Sequence, residues 1–168
     1  GARFGPRAIR EESQYVKRYS IEHDIDITEV LSLADAGDAP IQPYSIKGTL
    51  DAAGEFASTL GDPKTTKLFA VGGDHSIAYA NIRATWLHFD SHLDTVDAVW
   101  GEKWGHASPF IRAIEDGLID PKRMLSVGIK GPLNTPDDLK FAKDHGVTIM
   151  TYAQWRRSIR AGTGEVEA

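Results

Sequence analysis

The sequence predicts an α/β fold, a mainly parallel sheet in a three-layer α/β/α arrangement. Short apolar runs alternate with helix-patterned segments roughly every twenty to thirty residues, the rhythm of strand–helix–strand units. Two of those runs stop at clusters of histidine and aspartate, V-G-G-D-H-S over 71–76 and W-L-H-F-D-S-H-L-D-T over 86–95. In an open parallel sheet, ligands collect at the carboxyl ends of the strands, where both clusters fall.

Taken in order, Gly1 to Arg10 is a glycine turn followed by Pro6 near the first helical position, where its missing N–H does no harm, and a helix is expected to about Tyr19. Val30 to Ala34 reads as a strand entering the turn Asp35 to Asp38. Ser45 caps a helix lasting to Leu60, with Gly61 just beyond it. Leu68 to Val71 is the next strand, followed by a helix from Ser76 to about Ala84 and a strand from Trp86 to Phe89. Ser108 and Pro109 open a helix that Gly117 closes. Met124 to Ile129 is a strand. Thr135 and Pro136 start a helix with Asp137 and Asp138 in its first turn, favourable to the helix dipole, and Gly146 ends it. Val147 to Thr151 is the last strand and Ala153 to about Arg160 the last helix.

The 168 residues suffice for one domain with a core. A net charge of −5 without a basic helix face argues against nucleic acid and suits a small cationic substrate. The absence of cysteine removes disulfides and thiolate ligands. No apolar run is long enough to span a bilayer and no secretion signal is visible, so a cytoplasmic protein without a membrane partner is expected.

In an extended chain alternate side chains share a face, so Asp90, His92 and Asp94 project together, with His88 on the same parity. Carboxylates and imidazole converging at a strand end are costly unless a cation neutralises them. Oxygen and nitrogen donors without thiolate favour Mn(II), Mg(II), Fe(II) or Zn(II). His75 arrives from the neighbouring cluster. His88 precedes the ligands and is read either as a residue behind them or as packing. His23 and His145 are expected at the surface, and Trp100 and Trp104 to pack the loop between the metal-like stretch and Ser108.

Four segments, G-A-R-F-G-P-R-A-I-R, V-G-G-D-H-S, H-F-D-S-H-L-D-T and G-H-A-S-P-F, in this order, resemble the ureohydrolases, the agmatinase branch more than the arginases. The resemblance covers most of the chain and implies an arginase-like fold. It also implies two manganese ions and hydrolysis of a guanidino compound, agmatine or a guanidino acid, to urea and an amine by a metal-bridging hydroxide. By resemblance, His75 ligates one metal, His92 the other, Asp90 bridges, and Asp94 completes the first metal's set. His106 stands at the family's H-G-T-P-F position, here H-A-S-P-F, and becomes the proton shuttle. A homo-oligomer, trimer or hexamer, is implied in the same way. The implied chemistry is coherent, because a delocalised guanidinium carbon needs a strong nucleophile and the departing amine needs a proton.

Two features depart from that pattern. The family's second D-x-D pair is missing: Asp137 and Asp138 are adjacent in a helix start, and Asp24 with Asp26 lie upstream in what reads as a solvated turn. The expected helix to Ala84 and strand from Trp86 leave almost no connection, where roughly two to six residues are usual. The expectation is therefore a single ureohydrolase-like domain over 1–168 that lacks its first strand and its C-terminal part. Alternatives are a non-catalytic remnant of the fold and a related metal-dependent amide hydrolase of the deacetylase type.

Overall fold

A computed structural model describes residues 2–62, 64–82, 87–131, 133 and 136–161. A 3-10 turn, Ala2–Phe4, leads into α1, Gly5–Ser13, with Pro6 in its first turn. The helix stops short of the expected Tyr19. Ser13 Oγ donates back to the Arg10 carbonyl, and Tyr19–Ser20 becomes strand β1, paired antiparallel with β2, Ile25–Asp26. Asp24, at φ 54°, turns this small hairpin.

The expected strand Val30 to Ala34 is not formed. Asp26 accepts from the Thr28 N–H and starts a one-turn helix, α2, Ile27–Val30, after which the chain has no strand partner among the described residues and leaves Leu31 and Leu33 exposed. A side-chain acceptor at a helix start outcompetes the weak β propensity of a short apolar run. Ser45 caps α3, Ile46–Ser58, by accepting from the Gly48 N–H at 2.9 Å.

Leu68 to Val71 is not a strand either. Among the described residues no ladder partner lies beside it, and Phe69 is 92% exposed. A strand needs a neighbour for its backbone groups; apolar pattern alone does not supply one. Helix α4, Ile77–Asn81, follows. The junction at 83–86 lies outside the described residues, as does Thr135.

The sheet that positions the site has three parallel strands in the order β3, β4, β5: Leu87–Phe89, Leu125–Ile129 and Thr148–Thr151. Helix α5, Pro109–Glu115, lies between β3 and β4 in the chain, and a 3-10 turn, Pro136–Leu139, with α6, Lys140–His145, lies between β4 and β5. Helix α7, Tyr152–Ala161, leaves the end of β5 and packs back on β4 and β5. The core joins these parts through Ile82, Leu93, Phe110, Ala113, Ile119, Met124, Ile129, Ala142 and Val147. Among the described residues no helix is long and apolar enough to cross a membrane.

Ser108 occupies the expected N-cap position of α5, but its side chain makes no capping bond and is fully buried with its hydroxyl unpaired among the described residues. The helix is held instead by tertiary bonds. Phe110 N–H donates to the Asp94 carbonyl at 3.3 Å, and Arg112, 6% exposed, reaches Asp97 Oδ1 at 2.5 Å and Glu115.

Candidate metal centre

Strand β3 alternates as its period requires: His88 is buried, Phe89 is 64% exposed, and Asp90 turns back to the side of His88. The end of β4 grips this segment. Asp90 N–H donates to the Val127 carbonyl at 3.1 Å, and the N–H groups of Lys130 and Gly131 both donate to the Ser91 carbonyl, at 3.0 and 2.7 Å. Gly128 makes that grip possible, since it bulges the strand at φ 96°, and a Cβ there would lie 3.1 Å from the Asp90 carbonyl oxygen.

His75 comes from the turn before α4, where Asp74 Oδ1 accepts from the Ser76 N–H at 2.9 Å. Its Nδ1 donates to Asp94 Oδ2. Asp94 is held in the left-handed region at φ 51°, an uncommon conformation for a residue other than glycine and one that clusters at functional sites. The bond to Asp94 raises the pKa of His75 against the opposing effect of burial.

His88 stacks on His75 with ring centroids 5.6 Å apart and lies against Phe110 at 4.3 Å. Its Nδ1 is 3.3 Å from Ser126 Oγ. Its Nε2 is buried without a hydrogen-bond partner among the described residues and lies 3.7 Å from Asp90 Oδ2, too far for a hydrogen bond. Burial lowers the pKa of His88, favouring the neutral ring. For Asp90, burial alone works upward, but the His92 backbone N–H, the neighbouring His88, the Ser91 N–H and His75 together outweigh it and lower the pKa.

One ligand atom from each of His75, His88, Asp90 and Asp94 lies within 4.8 Å of all the others. Two imidazoles and two carboxylates are a donor set that fits a divalent ion, and the orphaned Nε2 of His88 is a buried lone pair or proton that such a set leaves for one. The structure thus gathers three of the residues singled out in the sequence, His75, Asp90 and Asp94, and adds His88, whose shared parity with Asp90 was the signal for it.

His92 stands outside that group of four. It is half exposed, its N–H donates to Asp90 Oδ1 at 3.0 Å, and its Nδ1 lies 3.7 Å from the same oxygen. Asp90 therefore turns one oxygen toward His88 and the other toward His92. The His92 ring rests on Gly131, where a Cβ would come within 2.2 Å of it, so any side chain at that position would evict the ring. His106 is exposed in the turn before α5. Its neighbour Ala107 accepts from the Val96 N–H at 3.0 Å, which fastens this turn two residues beyond Asp94. Among the described residues no second group of carboxylates and histidines comes together.

The chain is similar to known proteins in sequence and in fold. The model of the Arginase family matches residues 1–166. Proclavaminate amidinohydrolase of Streptomyces clavuligerus is 34% identical over 99% of this chain and 55% of its own length. Guanidinopropionase of Pseudomonas aeruginosa is 34% identical over 96% of this chain and 57% of its own. Among solved structures, the S. clavuligerus enzyme superposes with a TM-score of 0.79 over 98% of this chain and 60% of that one. Formimidoylglutamase from Bacillus subtilis superposes with a TM-score of 0.83 at 27% identity, over 97% and 53%. The chain spans about half the length of the curated relatives it matches. With its α/β architecture, the cluster at the carboxyl end of β3 and a family model that matches residues 1–166, the chain belongs to the arginase family.

Proposed function

We propose that the protein hydrolyses a guanidino compound to urea and an amine, with two manganese ions bound in part by His75, Asp90, His92 and Asp94. The observation that carries this reading is the convergence of His75, Asp90 and Asp94 at the end of a parallel strand, within a chain of the arginase family. Divalent ions bound there supply, near neutral pH, the hydroxide that a guanidinium carbon requires.

The residues divide the remaining work. Asp90, with an oxygen toward each of two histidines, suits a carboxylate that two ions share. His75 and Asp94 face each other and fix one side. Gly131 seats His92 on the other. His106, exposed in the turn fastened beside Asp94, gives its proton to the departing amine nitrogen. The names of similar proteins, guanidinopropionase and agmatinase among them, agree with a guanidino substrate.

The test is a manganese-dependent urea assay of the protein at its full natural length, across agmatine, 4-guanidinobutyrate, 3-guanidinopropionate and arginine. Urea and amine released in equal amounts from at least one of them, and abolished by a chelator, is the expected result. No urea from any guanidino compound with both ions bound would overturn the reading.

A further inference from the structure

The carboxyl ends of β4 and β5 carry charge opposite to that of the Asp90 and Asp94 side chains. Lys130 directly follows β4 and Tyr152 directly follows β5. Lys130 Nζ lies over the Tyr152 ring, 4.6 Å from its centroid, and the Arg156 guanidinium, one helical turn on in α7, lies 5.7 Å from the same ring. A surface recess of about 250 Å³ continues along α7, lined by Tyr152, Ala153, Arg156, Arg157 and Arg160. Among the described residues none of Lys130, Arg156, Arg157 and Arg160 is paired with a carboxylate. In a chain of net charge −5 this is a local reversal.

The reversal adjoins the site. Lys130 N–H is bonded to the carbonyl of Ser91, the residue between Asp90 and His92, so the side chain starts beside the metal centre and leads away from it toward β5. Neighbouring strands lie ~4.8 Å apart, so a substrate tail that leaves Asp90 and crosses β4 meets these cations. The face of an aromatic ring draws cations to it and offsets part of their mutual repulsion, while an anion placed among them relieves the rest.

We propose that Lys130 and Arg156, set over Tyr152, form an anion subsite that receives the carboxylate of a guanidino acid whose guanidinium lies at the metal centre. The proposal rests on the hydrolase reading above and narrows it. A guanidino acid with its guanidinium at the metal centre presents a negative tail to Lys130 and Arg156. Agmatine presents a second cation to a place already crowded with them, and is disfavoured.

The experiment compares kcat/KM of the manganese-loaded, full-length protein for 4-guanidinobutyrate, agmatine and the neutral-tailed n-butylguanidine. The acid is expected to lead both others by about tenfold or more, the scale of one or two charge-assisted hydrogen bonds. Lys130→Gln and, separately, Arg156→Gln are each expected to lower the acid-to-neutral ratio about tenfold, through KM, with Lys130→Arg restoring most of it. The ratio is internal, so a general loss of folded protein does not move it. Equal turnover of all three compounds, or variants that leave the ratio unchanged, would overturn the subsite and leave the hydrolase reading standing. No urea from any of them would overturn both.

Discussion

His88 Nε2 lies 3.7 Å from Asp90 Oδ2, buried and without a hydrogen-bond partner among the described residues. A buried polar atom left in this way normally costs free energy, and both Phe110 and His75 pack against the ring. The cost is offset if metal binding draws the Asp90 carboxylate into hydrogen-bond reach of this nitrogen, so that His88 orients the ligand. The other histidine of the segment, His92, faces the second oxygen of the same carboxylate, its Nδ1 3.7 Å from Asp90 Oδ1.

Asp90→Asn and His88→Gln separate ligand from packing. Titration calorimetry with manganese is expected to show the larger loss for Asp90→Asn, beyond the roughly 10–100-fold typical of residues that only orient ligands, and a loss within that range for His88→Gln. Unchanged affinity in the His88 variant would reduce that ring to packing against His75 and Phe110.

For His106→Ala the metal content is expected to stay at the wild-type level while kcat falls by roughly 10²–10⁴, the usual contribution of a positioned general acid. Elemental analysis of the purified variant, run beside the urea assay, reads both quantities. Full turnover with metals bound would take the proton shuttle away from this residue.

Gly128→Ala acts through the backbone. At φ 96° and 3.1 Å from the Asp90 carbonyl, the new Cβ is both strained and crowded. A destabilisation of about 1–3 kcal/mol is expected from the strain, measured as a lower urea midpoint at constant slope. Because the crowded atom belongs to Asp90, manganese affinity should fall with it; a variant that is less stable but binds metal normally would show that the bulge does not position the carboxylate.

The Arg10 guanidinium, bonded to both oxygens of Asp35, holds that carboxyl down at about 2. A depressed carboxyl contributes its stability fully above the unfolded value of about 3.9 and loses it as pH falls through about 2. Wild type and Asp35→Asn should therefore differ most near neutrality and converge below that window. The pair is solvent-exposed, so the difference should be small and shrink at high salt. Urea denaturation across the acid range at two ionic strengths reads it, and a gap that persists at the lowest pH would assign the effect to something other than this charge.

Much of the molecule was legible in the chain. Pro6, the Ser45 cap, Pro109 and the two closing glycines, Gly117 and Gly146, mark α1, α3, α5 and α6 because each acts on its own few residues of backbone. The two expected strands that do not form, Val30 to Ala34 and Leu68 to Val71, are apolar runs whose fate depended on a partner elsewhere. Ser108 stands at a good capping position, yet tertiary bonds from Asp94 and Asp97 hold that helix end instead.

The site divides along the same line. Alternation along a strand put Asp90 and His88 on one side, and residue type alone specified hard or borderline donors, because both follow from covalent geometry and from the chemistry of single side chains. The sequence by itself thus determined where several helices start or stop, the parallel strands β3 to β5 and the residues eligible to hold a metal. Only the tertiary structure decided that His75 crosses from another turn to meet Asp94, that His88 joins the cluster while His92 settles on Gly131, and that Lys130 reaches over Tyr152. Those pairings join residues far apart in the chain, and they depend on which surfaces close together when the core between the sheet and its helices packs, a global balance that no local pattern encodes.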